Sequence, residues 1–332
     1  MRWTRELGGG ASARVWGAED PTGRAYAVKI GLEPDGVLLA REAECLAVAR
    51  APSLVTVLGG GRLTRVPWAL EDEVAAPFLV LGMVRGTPLD RAGLEGTSSR
   101  LDLLLRDLAD ALEELHAAGI AHGDLKPSNV LVDGSEEAPR GTLIDLGLQA
   151  EASALEPRGG TPRYWAPEVW LREEGGPRGD GRARDLYALA ATFAELLVPS
   201  LRDAERLVDA VRSTALPEPY EQLLRPLLAD NPALRPSVKW LLSRGRALFD
   251  WAGGWESERR RRTVRREYLR VRQEELRRVA GAAVVDVLVE GPPGEWLREW
   301  LDAWRAGRDV IGPESATTES STTESSKHGP SG

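Results

Sequence analysis

The apolar pattern divides the chain into a strand-rich beginning and a helical remainder. Residues 24–30, Arg-Ala-Tyr-Ala-Val-Lys-Ile, are β-branched and aromatic enough to predict a strand. Residues 38–50 show helical spacing, with Leu38, Leu39, Leu46 and Val48 as the apolar contributors. A short apolar run at 76–81 reads as a buried strand. After Gly86 the period changes. Leu101, Leu104, Leu105, Leu108, Leu112 and Leu115 share one face of a predicted helix over 101–117. Residues 186–198 are apolar almost all round, which predicts a helix inside a larger body. The expected architecture is α+β: a small β-rich lobe over about 1–81, then a larger helical lobe over about 85–249.

The pattern breaks at Gly253-Gly254. An arginine-rich helical stretch, a Gly291-Pro292-Pro293-Gly294 turn and a tryptophan-rich helix predict a helical extension over 255–310. From Glu256 to Arg278 there are ten arginines and five glutamates, a local charge of +5. That basic face would dock a partner or pack on the large lobe. Residues 312–332 carry the repeat Thr-Thr-Glu-Ser-Ser twice and almost no apolar side chain, so this tail is expected to be disordered.

Composition narrows the classes. With 42% hydrophobic and 28% charged residues among 332, the chain has material for a core and is neither collagen-like nor wholly disordered. Its one cysteine, Cys45, excludes an internal disulfide and a cysteine-rich zinc site. No run of 18 apolar residues predicts a transmembrane segment, and a cytoplasmic location is expected. A net charge of −8 argues against nucleic acid as the partner of the whole chain. Only four of the 43 basic residues are lysine: Lys29, Lys126, Lys239 and Lys327. A lysine here therefore suggests a place where arginine's planar fork would not serve.

Candidate chemistry begins at Leu7-Gly8-Gly9-Gly10-Ala11-Ser12-Ala13-Arg14-Val15. The segment reads as a glycine-rich hairpin lying over phosphates, since glycines let backbone amides approach phosphate oxygens. Gly59-Gly60-Gly61, with Val66 at the same offset, is an internal control, and either triplet read alone is a turn. Lys29 follows the first triplet and no strand lysine follows the second. An inward-facing lysine needs a partner, and Glu42 on the next helix is the candidate. His122-Gly123-Asp124-Leu125-Lys126-Pro127-Ser128-Asn129 then presents an aspartate, a lysine and an asparagine in one loop, and the strand after it delivers Asp145. Asn129 and Asp145 are hard oxygen ligands suited to magnesium. Asp124 can accept a proton from a hydroxyl, and Lys126 can balance charge on a transferring phosphate.

This ordered set resembles a eukaryotic-like (Hanks-type) bacterial serine/threonine protein kinase. The resemblance runs from about Leu7 to about Phe249. It takes in Arg41-Glu42-Ala43, Asp145-Leu146-Gly147, Gly160-Thr161-Pro162-Arg163-Tyr164-Trp165-Ala166-Pro167-Glu168, an Asp185 opening the buried helix, and Asn231-Pro232-Ala233-Leu234-Arg235-Pro236. It implies the bilobal protein-kinase fold and use of ATP and Mg2+ on protein substrates, with autophosphorylation. Lys29 would hold the α- and β-phosphates with Glu42 keeping it in place. Asp124 would be the catalytic base, with Lys126 marking serine/threonine specificity, and Asn129 and Asp145 would bind metal. Gly8, Gly10, Val15 and Ala27 would line the nucleotide site. Leu81 would be the gatekeeper, and Gly82 to Val84 the hinge that holds adenine. Arg235 would pair with Glu168.

Three departures stand out. Ala13 replaces the third glycine of the loop, the separation of Lys29 and Glu42 is short for the family, and Gly123 replaces the arginine before the catalytic aspartate, removing the usual cation that reads a phosphorylated activation loop. Two alternatives remain open on sequence: a small-molecule phosphotransferase of the aminoglycoside or choline kinase type, and a pseudokinase scaffold.

Overall fold

The computed structural model describes residues 2–249 apart from 34–35, 50, 64–65, 69–75, 95–97, 136–137, 147–149, 152, 156–158 and 172–177. The expected extension at 255–310 and tail at 312–332 lie outside the described residues, as does Gly147.

Strands β1 (Arg2–Gly9), β2 (Ala13–Glu19), β3 (Ala25–Gly31), β4 (Val57–Leu63) and β5 (Ala76–Gly82) form an antiparallel sheet in the order β1-β2-β3-β5-β4. Alternation along β3 gives the sheet two unlike faces. Val28 and Ile30 pack with Ala18, Val66 and Ala76, flanked by Trp3, Trp16 and Trp68. Ala27 and Lys29 point the other way. Lys29 pairs with Val15 on one side and Leu79 on the other, and Ala27 pairs with Leu81. Register alone therefore collects Val15, Ala27, Lys29 and Leu81 on one face. Helix α1 (Val37–Val48) buries Leu39, Ala40, Ala43, Leu46 and Ala47, and with them Glu42. Val48, expected on the apolar face, is exposed. Small alanines, which carry little hydrophobic signal, make up much of the buried stripe.

The first glycine triplet forms the expected hairpin, closed by the Gly10 N–H to Ala13 O at 2.9 Å, whereas the second departs from the expected turn. Gly8 and Gly9 end β1, and Gly59 to Gly61 run inside β4, paired with β5. Main-chain pairing in the sheet overrides the local turn preference.

The second lobe is built on α2 (Ser98–Ala117) and α4 (Gly181–Leu197). The leucine face predicted for α2 is wholly buried at Leu101, Leu104, Leu105, Leu108, Leu112 and Leu115. Helix α4 is buried along almost its whole length, as its all-round apolarity requires. It opens at Gly181, where the Asp180 side chain accepts from the Ala183 N–H at 2.9 Å. The resemblance led to Asp185 as the opening residue. It lies instead one turn inside, where its backbone is already helical and its side chain is free to serve others. Around these helices lie β6 (Thr87–Pro88), β7 (Ile120–Ala121), β8 (Val130–Ser135), β9 (Ala138–Leu143), β10 (Ala150–Glu151), α3 (Pro167–Trp170), α5 (Leu207–Ser213), α6 (Tyr220–Leu224) and α7 (Val238–Phe249). Strands β6, β8 and β9 form a second small sheet, and β7 pairs with β10.

A short crossing strap joins the lobes. The Val55 N–H donates to Leu143 O at 3.1 Å, the Leu143 N–H to Ser53 O at 2.8 Å, and the Gly82 N–H to Thr56 O at 2.8 Å. Main-chain bonds of one segment thus tie β5 to β9, and with them the lysine strand to the chain that carries Asp145. Among the described residues no helix is long and apolar enough to cross a membrane.

Candidate active site

Lys29 is the first element of the site. Its Nζ lies 2.6 Å from Glu42 Oε2 and 2.6 Å from Asp145 Oδ1. Only 7% of the lysine side chain and 1% of the glutamate side chain are exposed, whereas Asp145 is half exposed. Burial by itself disfavours the ammonium, but Glu42 and then Asp145 outweigh it, and the group is held above the usual lysine range. The ammonium stays charged at every working pH. Glu42 also accepts the Leu146 N–H at its other oxygen, 3.2 Å away. One glutamate therefore fixes both the lysine and the backbone beside Asp145.

Asp145 has φ 64°, the one non-glycine left-handed residue among those described. Such backbone costs on the order of 1–3 kcal/mol and persists only where neighbours over-determine it. Both neighbours are pinned here. The Ile144 N–H donates to Asn129 O at 2.9 Å, and the Leu146 N–H donates to Glu42. The strain directs the Asp145 carboxylate at Lys29.

The second element is the loop after β7. Asp124 Oδ1 accepts the Thr161 N–H at 2.8 Å, and Oδ2 accepts Lys126 Nζ at 2.7 Å and Asn129 Nδ2 at 3.3 Å. Lys126 also donates to Thr161 Oγ1 at 2.7 Å. Asp124, Lys126 and Thr161 therefore close a ring of contacts. Gly160, φ +118°, makes that possible: a Cβ there would stand 2.9 Å from Trp165 Nε1 and 3.0 Å from Gly123 O. Asn129 Nδ2 donates to the Asp124 carbonyl at 2.8 Å, which assigns the amide oxygen as the end available to a metal.

The loop is held from below by Asp185. Its carboxylate accepts the His122 N–H at 2.8 Å and the Gly123 N–H at 2.9 Å, and contacts His116 Nε2 at 2.9 Å. Burial pushes this carboxyl up, but His116 and the amide donors outweigh that and keep it below the usual carboxylate range. His122 Nδ1 accepts the Asp124 N–H at 3.2 Å, so Nε2 carries the proton donated to Ile144 O at 3.2 Å. His122 thereby connects the Asp124 loop to the Asp145 segment.

Glu168 and Arg235 form the expected pair. Two parallel bonds of 2.7 and 2.6 Å join them, and both side chains are buried. Arg163 and Tyr164 both bind Glu195 on α4, at 2.7 and 2.6 Å, which anchors the segment after Thr161.

Of the residues expected on the nucleotide side, Val15, Ala27 and Leu81 share the Lys29 face of the sheet by register, Gly8 lies near the end of β1, and Gly10 follows it outside the strand. A Cβ at Gly8 or Gly10 would meet nothing within 4 Å, so packing inside the chain does not require glycine there. Leu81 is buried, Gly82 ends β5 and Val84 follows it half-buried. Sequence reasoning named Lys29, Glu42, Asp124, Lys126, Asn129 and Asp145; the structure brings Lys29, Glu42 and Asp145 into one group and Asp124, Lys126 and Asn129 into another, the two linked through Ile144 and His122. It missed His116, the partner role of Asp185, and the Arg163–Glu195 anchor. The composition held one signal for the first: the chain has three histidines, and two of them converge here.

A family model described as "Protein kinase domain" matches residues 1–244. The DNA damage-responsive serine/threonine-protein kinase RqkA of Deinococcus radiodurans is 33% identical over 256 residues, covering 72% of this chain and 36% of that protein. Serine/threonine-protein kinase PknD of Mycobacterium tuberculosis is 33% identical over 260 residues, covering 70% of this chain and 37% of that protein. Serine/threonine-protein kinase Pkn1 of Myxococcus xanthus is 38% identical over 133 residues, covering 38% and 18%. The chain spans little more than a third of the length of RqkA and PknD.

Proposed function

The chain belongs to the protein kinase domain family, and from that premise we propose that it transfers the terminal phosphate of ATP to serine or threonine hydroxyls of proteins, its own included. The observation that carries this reading is the Lys126 bridge, 2.7 Å to Asp124 and 2.7 Å to Thr161. It joins the proton-accepting carboxylate to the segment that would seat an extended peptide. A small-molecule phosphotransferase has no need of that link.

ATP and a divalent metal follow from the family, and the donor set supports Mg2+. One carboxylate, Asp145, and one amide oxygen, Asn129, are hard ligands. Among the described residues no cluster of three or more His, Cys, Asp or Glu could hold a metal ion. Two protein oxygens with phosphate and water for the rest suits Mg2+. Bound there, the metal supplies charge neutralisation on the phosphates.

The chain's own residues do the remainder. Lys29, held charged by Glu42, takes the non-transferred phosphates and gives up its contact with Asp145. Gly8 to Gly10 let main-chain amides cover those phosphates. Asp124, held at both oxygens, orients the incoming hydroxyl and accepts its proton as the oxygen–phosphorus bond forms and the bond to ADP breaks. Lys126 offsets negative charge on the transferring group.

The test is incubation of the full chain with labelled ATP, Mg2+ and a generic serine/threonine peptide, with Asp145→Asn beside it. Transfer to hydroxyls of the peptide, lost in Asp145→Asn, supports the reading. Full transfer in Asp145→Asn, or transfer only to small alcohols or aminoglycosides, overturns it.

A further inference from the structure

Two neighbouring residues in the first turns of α4 face different segments. Asp185 receives the main chain of the catalytic loop at His122 and Gly123. Arg184, one residue earlier, reaches the chain between Asp145 and Glu168. Its Nη2 donates to Ala154 O at 2.8 Å, and its Nη1 donates to Leu155 O at 2.9 Å and to Gly179 O at 2.5 Å. All three acceptors are main-chain carbonyls. A planar guanidinium can serve two adjacent carbonyls and a third from another segment at once, whereas an ammonium on a flexible stem holds no such fixed fork.

Position matters as much as number. Gly123, Asp124, Thr161, Trp165, Arg184 and Asp185 line one cavity. Gly123 has no side chain with which to reach across it. Arg184 reaches the activation segment from the helix side, and its bonds to Ala154 and Leu155 go to backbone carbonyls, which are present in every covalent state of the protein. The segment's own hydroxyl nearby, Ser153, is exposed.

We propose that Arg184 is a positioning residue that clamps residues 154–155 to the start of α4, so that the segment carrying Thr161 is set against Asp124 without phosphorylation of that segment. The clamp and the catalytic loop share a foundation, since residues 184 and 185 are consecutive on one helix. This inference rests on the protein kinase reading for its catalytic consequence, but not for the clamp itself.

The experiment uses the full chain after phosphatase treatment, as wild type, Arg184→Met and Arg184→Lys. Peptide kcat/KM, the Kd of a non-hydrolysable ATP analogue, and deuterium uptake across 150–163 are measured. The expected result for Arg184→Met is a fall of about tenfold or more in peptide kcat/KM, from loss of three charge-assisted bonds, with analogue Kd within about twofold. Uptake across 150–163 should rise. Arg184→Lys should fall between the two, because it keeps charge without the fork. An unchanged Kd also reports that the variant is folded. Unchanged uptake in Arg184→Met overturns the clamp, and so does a peptide kcat/KM within about twofold of wild type. A parallel loss of analogue binding overturns the segment-specific role. If wild type transfers nothing to peptide, the kinase reading fails while uptake still decides the clamp. If wild type transfers only before phosphatase treatment, phosphorylation is required and the proposal is wrong.

Discussion

Replacing Arg235 by methionine should be among the most damaging single changes outside the candidate active site. The guanidinium makes two bonds to Glu168, one to Ala229 O at 3.0 Å and one to Ala183 O at 3.1 Å. Its carbon also lies 5.0 Å over the Tyr187 ring. Neither side chain of the pair is reached by water: Arg235 is 0% and Glu168 3% exposed. Methionine fills much of the space but leaves the Glu168 carboxylate buried and unpaired. Breaking one partner of such a pair costs about 3–5 kcal/mol, which corresponds to a Tm loss on the order of 10 °C. Replacing both, Arg235→Met with Glu168→Leu, removes the stranded charge and should recover about 2 kcal/mol or more of that loss. The assay is guanidinium chloride unfolding of the full chain, followed by tryptophan fluorescence and circular dichroism. A loss below about 1 kcal/mol in Arg235→Met, or a double variant no better than the sum of the singles, would refute the reasoning.

Glu42→Gln should lower kcat/KM for ATP by about a hundredfold, because Lys29 then loses its buried anion and drifts toward Asp145; steady-state kinetics check this, and near-normal values would contradict it. Thr161→Val removes the hydroxyl that Lys126 holds at 2.7 Å. It should cut peptide transfer roughly tenfold while leaving ATP-analogue affinity unchanged, read by kinetics and calorimetry. Asp102, in the second turn of α2, is pushed up to about 6 from 3.8 by burial. Its folded form therefore holds a proton more tightly than the unfolded chain does, so its contribution to stability declines as pH rises from about 4 to 6 and stays low above that. Asp102→Asn should flatten that slope in unfolding midpoints measured across the window, and an unchanged slope would count against it.

What could be read in advance was what lies close together in the chain. Asp124, Lys126 and Asn129 fall within six residues, and Lys29 is conspicuous because lysine is scarce here. The leucine face of α2 and the all-apolar run of α4 needed only periodicity. What could not be read depends on contacts between distant residues. Arg184 and Arg163 look like any of the chain's many arginines until the fold brings Leu155 and Glu195 to them. His116 meets Asp185 across 69 residues. Glu42 was a candidate partner on its helix, but its complete burial comes from Leu146 and Lys29 closing over it. The second glycine triplet was misread for the opposite reason. Local turn preference is strong at Gly59 to Gly61, and strand β5 alongside overrides it.

The central claim is that the group around Asp124 transfers phosphate to protein hydroxyls. The most direct measurement is single-turnover transfer from labelled ATP to a serine/threonine peptide by wild type and Asp124→Asn, with analogue Kd measured on the same samples. Asparagine keeps an acceptor for the Thr161 N–H but cannot take the hydroxyl proton. The account predicts a fall of roughly 10²–10⁴-fold in the transfer rate with nucleotide affinity unchanged. A transfer rate in Asp124→Asn equal to that of wild type would contradict it.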